Sequence, residues 1–178
     1  MQRRIWPMWV YFGVAIIVFI LDYISKKWIA LNLELDERIQ VLGNFFLLTS
    51  IRNRGAAFGI LQEQRWFFLL ITIVVVAGIA WYVKRSYRTG SRLLLVGLGM
   101  ILGGAVGNFL DRALYGEVVD FLLFNFGSYS FPTFNLADSG ICVGVALVIL
   151  DSLLSMKQEN KRNDDGEQEQ PLEEQHSV

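Results

Sequence analysis

Residues 5–21, 66–83 and 93–110 are three runs of 17 to 18 residues without a charged side chain. At about 1.5 Å per residue, each is long enough as a helix to cross most of a hydrocarbon core about 30 Å thick. A fourth run, 139–150, has only 12 residues, and reaches spanning length if 135–155 forms one helix with Asp138 in its first turn. Composition agrees: 53% of the chain is hydrophobic before its 16 glycines are counted. With them the share is roughly 62%, against ~45–50% for soluble domains. The expectation is an all-α membrane protein of four transmembrane helices, spanning about 5–24, 66–83, 93–110 and 135–155.

The first run follows Arg3 and Arg4, as in a signal peptide, but leads into Asp22, Lys26 and Lys27 rather than a small-residue cleavage site, so it reads as a retained anchor. Charge sets the orientation. Residues 84–92 hold Lys84, Arg85, Arg88 and Arg92 without an acid, whereas 25–65 hold six bases offset by four acids. The short basic loop is expected in the cytoplasm, with both termini, and 22–65 and 111–134 outside. Trp6, Trp9, Trp28, Trp66, Trp81 and Tyr82 fall near span ends, where an aromatic belt would put them. The pairs Gly99/Gly103, Gly103/Gly107 and Gly140/Gly144 read either as close helix packing or as the ordinary glycine content of membrane helices. Residues 39–51, rich in β-branched and aromatic side chains and closed by Asn53-Arg54-Gly55, suggest a small extracytoplasmic β-element.

Residues 157–178 carry seven acids, three bases and no aromatic, which leaves a mildly basic body at 1–156. Such a composition reads as a disordered cytoplasmic tail. The formal charge of −1 provides no field for nucleic acid. One cysteine, Cys142, cannot close an intramolecular disulfide, and the only histidine is His176, third from the end of the sequence. Zinc sites lack a Cys/His cluster, HExxH proteases and His-dependent serine or cysteine hydrolases are weakened, and no metal or cofactor is expected.

Ionisable residues at membrane depth are functional candidates by default. Asp22 and Lys26 form an acid-before-base i,i+4 pair, which a structural salt bridge explains as well as a catalytic role does. Asp111 is followed by Arg112, a charge partner that favours a structural role for the acid, while Arg112 itself could hold a substrate carbonyl or headgroup. Asp120 lies in the apolar run Val118-Val119-Asp120-Phe121-Leu122, where desolvation raises a carboxyl pKa. Asp138 follows a candidate N-cap, Asn135, by three residues, where helix N–H groups favour a negative charge. Separately the two read as a loop charge and a cap. Together they have the division of states of an aspartic-protease pair, one carboxylate activating water and the other, protonated, polarising the scissile carbonyl.

Several blocks, in order, resemble the lipoprotein signal peptidases, the type II signal peptidases of bacteria. They are Asp22-Tyr23-Ile24-Ser25-Lys26, Arg52 to Gly59 (RNRGAAFG), Gly104 to Arg112 (GAVGNFLDR), Val118-Val119-Asp120-Phe121 and Phe134 to Ser139 (FNLADS). No block departs from the family's pattern, and the match covers Asp22 to Asp151. The resemblance implies an intramembrane aspartyl endopeptidase that cleaves diacylglyceryl-modified prolipoproteins just before the lipobox cysteine. It implies Asp120 and Asp138 as the catalytic pair, with Asn53, Asn108, Arg112, Asn135 and Ala137 lining the site and Asp22, Lys26, Gly104 and Asp111 in support. It also implies four transmembrane helices, an outward β-cradle and a short helix before the last span. The enzyme is expected in the cell membrane as a monomer, with membrane lipid around it and its active site near the extracytoplasmic face.

Three rival readings are weaker. A four-helix transporter would carry a midplane carboxylate and an internal repeat, but Asp22 and Asp138 sit at span ends and no repeat relates the halves. A Ser-Lys peptidase is disfavoured because Ser25 precedes Lys26 and Lys27 by one and two residues, which do not share a helix face. A purely structural membrane protein would lose one carboxylate without losing a reaction.

Overall fold

The computed structural model describes residues 6–55 and 60–168, with side chains as far as residue 160. Arg3, Arg4, the first residue of the expected first span, Ala56 to Gly59 of the second block, and His176 with the rest of 169–178 lie outside the described residues. The order is α1 (Met8–Asn32), β1 (Arg38–Leu42), β2 (Phe46–Asn53), α2 (Arg65–Ser86), α3 (Arg92–Tyr115), β3 (Val118–Phe126), β4 (Tyr129–Ser130) and α4 (Leu136–Gln168). All four helices are long and apolar enough to cross a membrane, so the expected fold class of four spans with a small sheet is what is found.

Three boundaries differ from expectation. Asp22 does not end the first span, since α1 continues to Asn32 and Asp22 is buried inside the bundle. A hydropathy reading stops at the charges, but Asp22 and Lys26 neutralise each other at 2.7 Å and the helix runs on. The last helix extends past Ser155 to Gln168. A helix already nucleated by a span adds one hydrogen bond per residue, and Lys157, Gln158 and Glu159 are good helix formers. No short helix precedes α4; residues 131–135 are irregular, with an isolated bridge between Leu122 and Phe134.

α3 is the central helix, packed on α1, α2 and α4, and glycine makes the approach possible. A Cβ on Gly103 would collide with the Ala15 carbonyl of α1, and one on Gly104 with the Ala137 carbonyl of α4. The close-packing reading of the glycine pairs therefore holds at this junction. Ser91 caps α3 by accepting from the Leu94 N–H at 3.0 Å and donates to Asp151 of α4, tying the basic-loop end of the bundle.

At the other end the four strands form one antiparallel sheet in chain order. The hairpin β1–β2 is the β-element expected at 39–51. The ladder β2–β3 joins the 22–65 segment to the 111–134 segment, so both lie at the same end of the bundle, opposite the 84–92 loop. Gly116 stops α3: its φ of +80° suits a residue without Cβ, and its N–H donates to the Arg112 carbonyl at 3.1 Å. The chain then turns directly into β3, which brings Asp120 back over the helix ends.

Candidate active site

Asp120 sits on β3 and Asn53 at the end of β2, where Asn53 pairs with Val118. Two residues along a strand share a face, so Asn53 and Asp120 are diagonal neighbours, and Asn53 Nδ2 donates to Asp120 Oδ2 at 2.9 Å. Asp138 arrives from the first turn of α4. The Asn135 side chain accepts from the Asp138 N–H at 3.0 Å, and Asp138 Oδ2 accepts from the Asn135 N–H at 3.3 Å. This reciprocal arrangement has the form of a capping box, with an aspartate in the glutamate's place. The cap reading of Asp138 is thus correct, and it leaves Oδ1 free for another donor.

Three asparagine amides aim at these two carboxylates, and each is oriented by a group that can only donate. Asn53 Oδ1 accepts from the Gly55 N–H at 2.9 Å, which turns Nδ2 toward Asp120. Asn135 Oδ1 accepts from the Asp138 N–H, and its Nδ2 donates to Asp120 Oδ1 at 2.7 Å. Asn108 Oδ1 accepts from the Lys26 ammonium at 2.8 Å, and its Nδ2 donates to Asp138 Oδ1 at 2.8 Å. An ammonium and a backbone N–H have no acceptor capacity, so the carbonyl end of each amide must face them.

Asp120 is 2% exposed. Burial pushes its carboxyl up to about 6, the Asp138 charge adds to the rise, and the donors Asn53 and Asn135 together with Lys26 oppose it. Asp120 is thus the member driven toward the neutral form, as the apolar run around it implies.

Both carboxylates open on a cavity of about 620 Å³ that also exposes Asn53, Asn108, Arg112 and Asn135. Away from this polar end it is lined by Phe68, Ala105, Ile141 and Cys142, so a ligand there would meet charged groups at one end and an apolar slot at the other. Arg112 crosses the rim: Nη2 donates to the Gly55 carbonyl at 2.8 Å, and the guanidinium lies over the Phe68 ring at 4.6 Å. Its Nε has no hydrogen-bond partner among the described residues. Among those residues no group of three or more His, Cys, Asp or Glu side chains is arranged to hold a metal ion.

The supporting residues lie behind this layer. Lys26 Nζ bonds Asp22 Oδ2 at 2.7 Å and Asp111 Oδ2 at 2.8 Å. Asp111 is therefore paired with Lys26 rather than with its neighbour Arg112, since successive helical residues point about 100° apart. Ala137 does not line the cavity. It is fully buried, and its N–H donates to Asp22 Oδ1 at 2.8 Å, tying α4 to α1. Gly104 acts as a packing glycine against that same turn.

Reading residues alone missed three contributors. Gly107 places its Cα hydrogens where a Cβ would come within 2.5 Å of Asp22 Oδ2, and the Gly103/Gly107 spacing carried that signal. Gly55 serves twice through its backbone, with only the Asn-Arg-Gly turn to announce it. Phe68 supports Arg112 from α2, and nothing in the local sequence marks it.

A family model described as Signal peptidase (SPase) II matches residues 14–154. A solved structure described as a bacterial membrane enzyme, determined by the in meso method at 2.3 Å resolution, is 34% identical, with a TM-score of 0.81. That alignment covers 89% of this chain and 96% of the other. A second, with the same description at 1.9 Å resolution, is 35% identical over 86% of this chain and 98% of the other, with a TM-score of 0.76.

Proposed function

Since this chain belongs to the signal peptidase II family, aspartic peptidases that cleave lipoprotein signal peptides, we propose that Asp120 and Asp138 are the pair that carries the hydrolysis. Asp138 takes a proton from water as the water oxygen attacks the scissile carbonyl, and Asp120 gives its proton to the carbonyl oxygen. Collapse of the resulting gem-diol returns that proton to Asp120 while Asp138 protonates the leaving amine. The products are a signal peptide ending in a carboxylate and a lipoprotein with a free amino group. Asn53, Asn108 and Asn135 hold the carboxylates in place, and Arg112 meets the substrate at the rim. Buried donors of this kind stabilise charge without reorganising during the step.

The substrate is a prolipoprotein whose lipobox cysteine carries diacylglycerol, cut just before that cysteine. The enzyme works as a monomer in the cell membrane, with both termini cytoplasmic and the carboxylates at the extracytoplasmic interface. Residues 1–156 form the catalytic body and 157–178 lie outside it. The observation that supports this most is the convergence of Asp120 from a strand and Asp138 from a helix on one cavity that is polar at one end and apolar along the other. Purified protein incubated with a diacylated lipobox peptide should release a fragment beginning at the modified cysteine. No cleavage by folded protein, or equal cleavage of the unlipidated peptide, would count against the substrate assignment.

A further inference from the structure

The three amides of the site differ in how they are held. Asn53 and Asn135 are oriented by backbone N–H groups, which no side-chain substitution removes. Asn108 is oriented by two side chains: its Oδ1 accepts from the Lys26 ammonium at 2.8 Å and, over a longer contact, from Asn135 Nδ2 at 3.3 Å. That ammonium is 4% exposed; it donates to Asn108 at 2.8 Å and forms ion pairs with Asp22 at 2.7 Å and Asp111 at 2.8 Å. It sits between α1 and α3 and is held to both by charge.

We infer that Lys26 is a positioning residue for the carboxylate pair, acting through Asn108: a donor-only group at this point forces the amide to present its NH2 to Asp138. With the ammonium gone, only the longer 3.3 Å contact from Asn135 Nδ2 holds the carbonyl end, and an amide that turned over would put its oxygen against the Asp138 carboxylate, acceptor against acceptor. Asp138 would lose the donor on Oδ1 and keep only the Asn135 N–H on Oδ2. The inference rests on Asp138 being a member of the reacting pair. It goes beyond a salt bridge that merely clamps two helices, because a clamp would act equally well whichever way Asn108 faced.

A second cavity, of about 280 Å³, reaches Lys26 and Asp111 from the opposite side of the α1–α3 wall, beside Tyr23 and Lys27. Lys26→Arg keeps a donor-only cation at this position.

The test is a double-mutant cycle of Lys26→Met and Asn108→Ala, measured as kcat and KM per folded enzyme on a diacylated lipobox peptide. It is run in an Asp111→Asn background, where loss of the lysine charge is matched by loss of one carboxylate charge. We expect Lys26→Met to lower kcat by roughly tenfold or more with KM within about twofold, as befits an interaction made in the transition state. In the Asn108→Ala background the same change should cost no more than about twofold, because coupled residues are not additive. Lys26→Arg should restore kcat, and also decides the matter alone if Lys26→Met does not accumulate. Multiplying effects, or a folded Lys26→Arg enzyme as impaired as Lys26→Met, would overturn the positioning role. Turnover by Asp138→Asn would instead overturn the pair assignment on which it rests, so the two failures are distinguishable.

Discussion

Asn135 donates from Nδ2 to Asp120 Oδ1 at 2.7 Å while its Oδ1 caps the helix that carries Asp138. One fully buried side chain therefore sets the position of one carboxylate and the helix start of the other. Asn135→Ala removes a cap and a buried hydrogen bond to an acid, and should lower stability by about 1–2 kcal/mol. It should also lower kcat. Thermal unfolding and turnover of the purified variant check this, and unchanged values of both would contradict the double role.

The raised pKa of Asp120 makes a prediction about stability against pH. Its value is about 6 in the folded protein against a reference of 3.8, so the folded state binds the proton more tightly. The stabilisation is fully present below the reference value and is lost as pH rises through about 6, to the extent of roughly 3 kcal/mol. Asp120→Asn cannot titrate. Its stability relative to the parent should therefore improve by that order between pH 4 and pH 7.5; a gap that stays constant over this range would contradict the buried, neutral-leaning carboxyl.

Topology can be read with accessibility tags. In a Cys142→Ala background, cysteines at Arg88 and Glu34 should label from opposite sides of the membrane, because the basic loop and the sheet lie at opposite ends of the bundle. The Glu34 position should label from outside. Labelling of both from one side would break the four-span arrangement.

Much of this architecture was legible in the residues, and the gaps have physical causes. Four spans follow from run length and lack of charge, and the β1–β2 hairpin from β-branched and aromatic content ahead of a turn. The continuation of α1 beyond Asp22 was hidden because a sequence shows a charge but not its partner. Lys26 neutralises Asp22 in the next turn, and Asp111 approaches from another helix. The same blindness to long-range pairing assigned Asp111 to Arg112 and left β3 unrecognised as a strand, since its partner β2 lies more than 60 residues earlier. Asp120 and Asp138 could be nominated from local setting alone. The three oriented amides between them could not, because amide direction is decided by donors that only the fold brings near.

The most direct measurement of the central claim is turnover of Asp120→Asn, Asp138→Asn and the double variant on a diacylated lipobox peptide, with Asp111→Asn as the control. Each single change of the pair should lower kcat by about 10²–10⁴-fold, and the double variant should be little worse, since the two carboxylates act as one unit. Asp111→Asn, which touches Lys26 rather than the cavity that holds the pair, should yield less folded protein yet retain turnover per folded molecule. If Asp120→Asn retains turnover while Asp111→Asn abolishes it in well-folded enzyme, Asp138 has a different partner and the account is wrong.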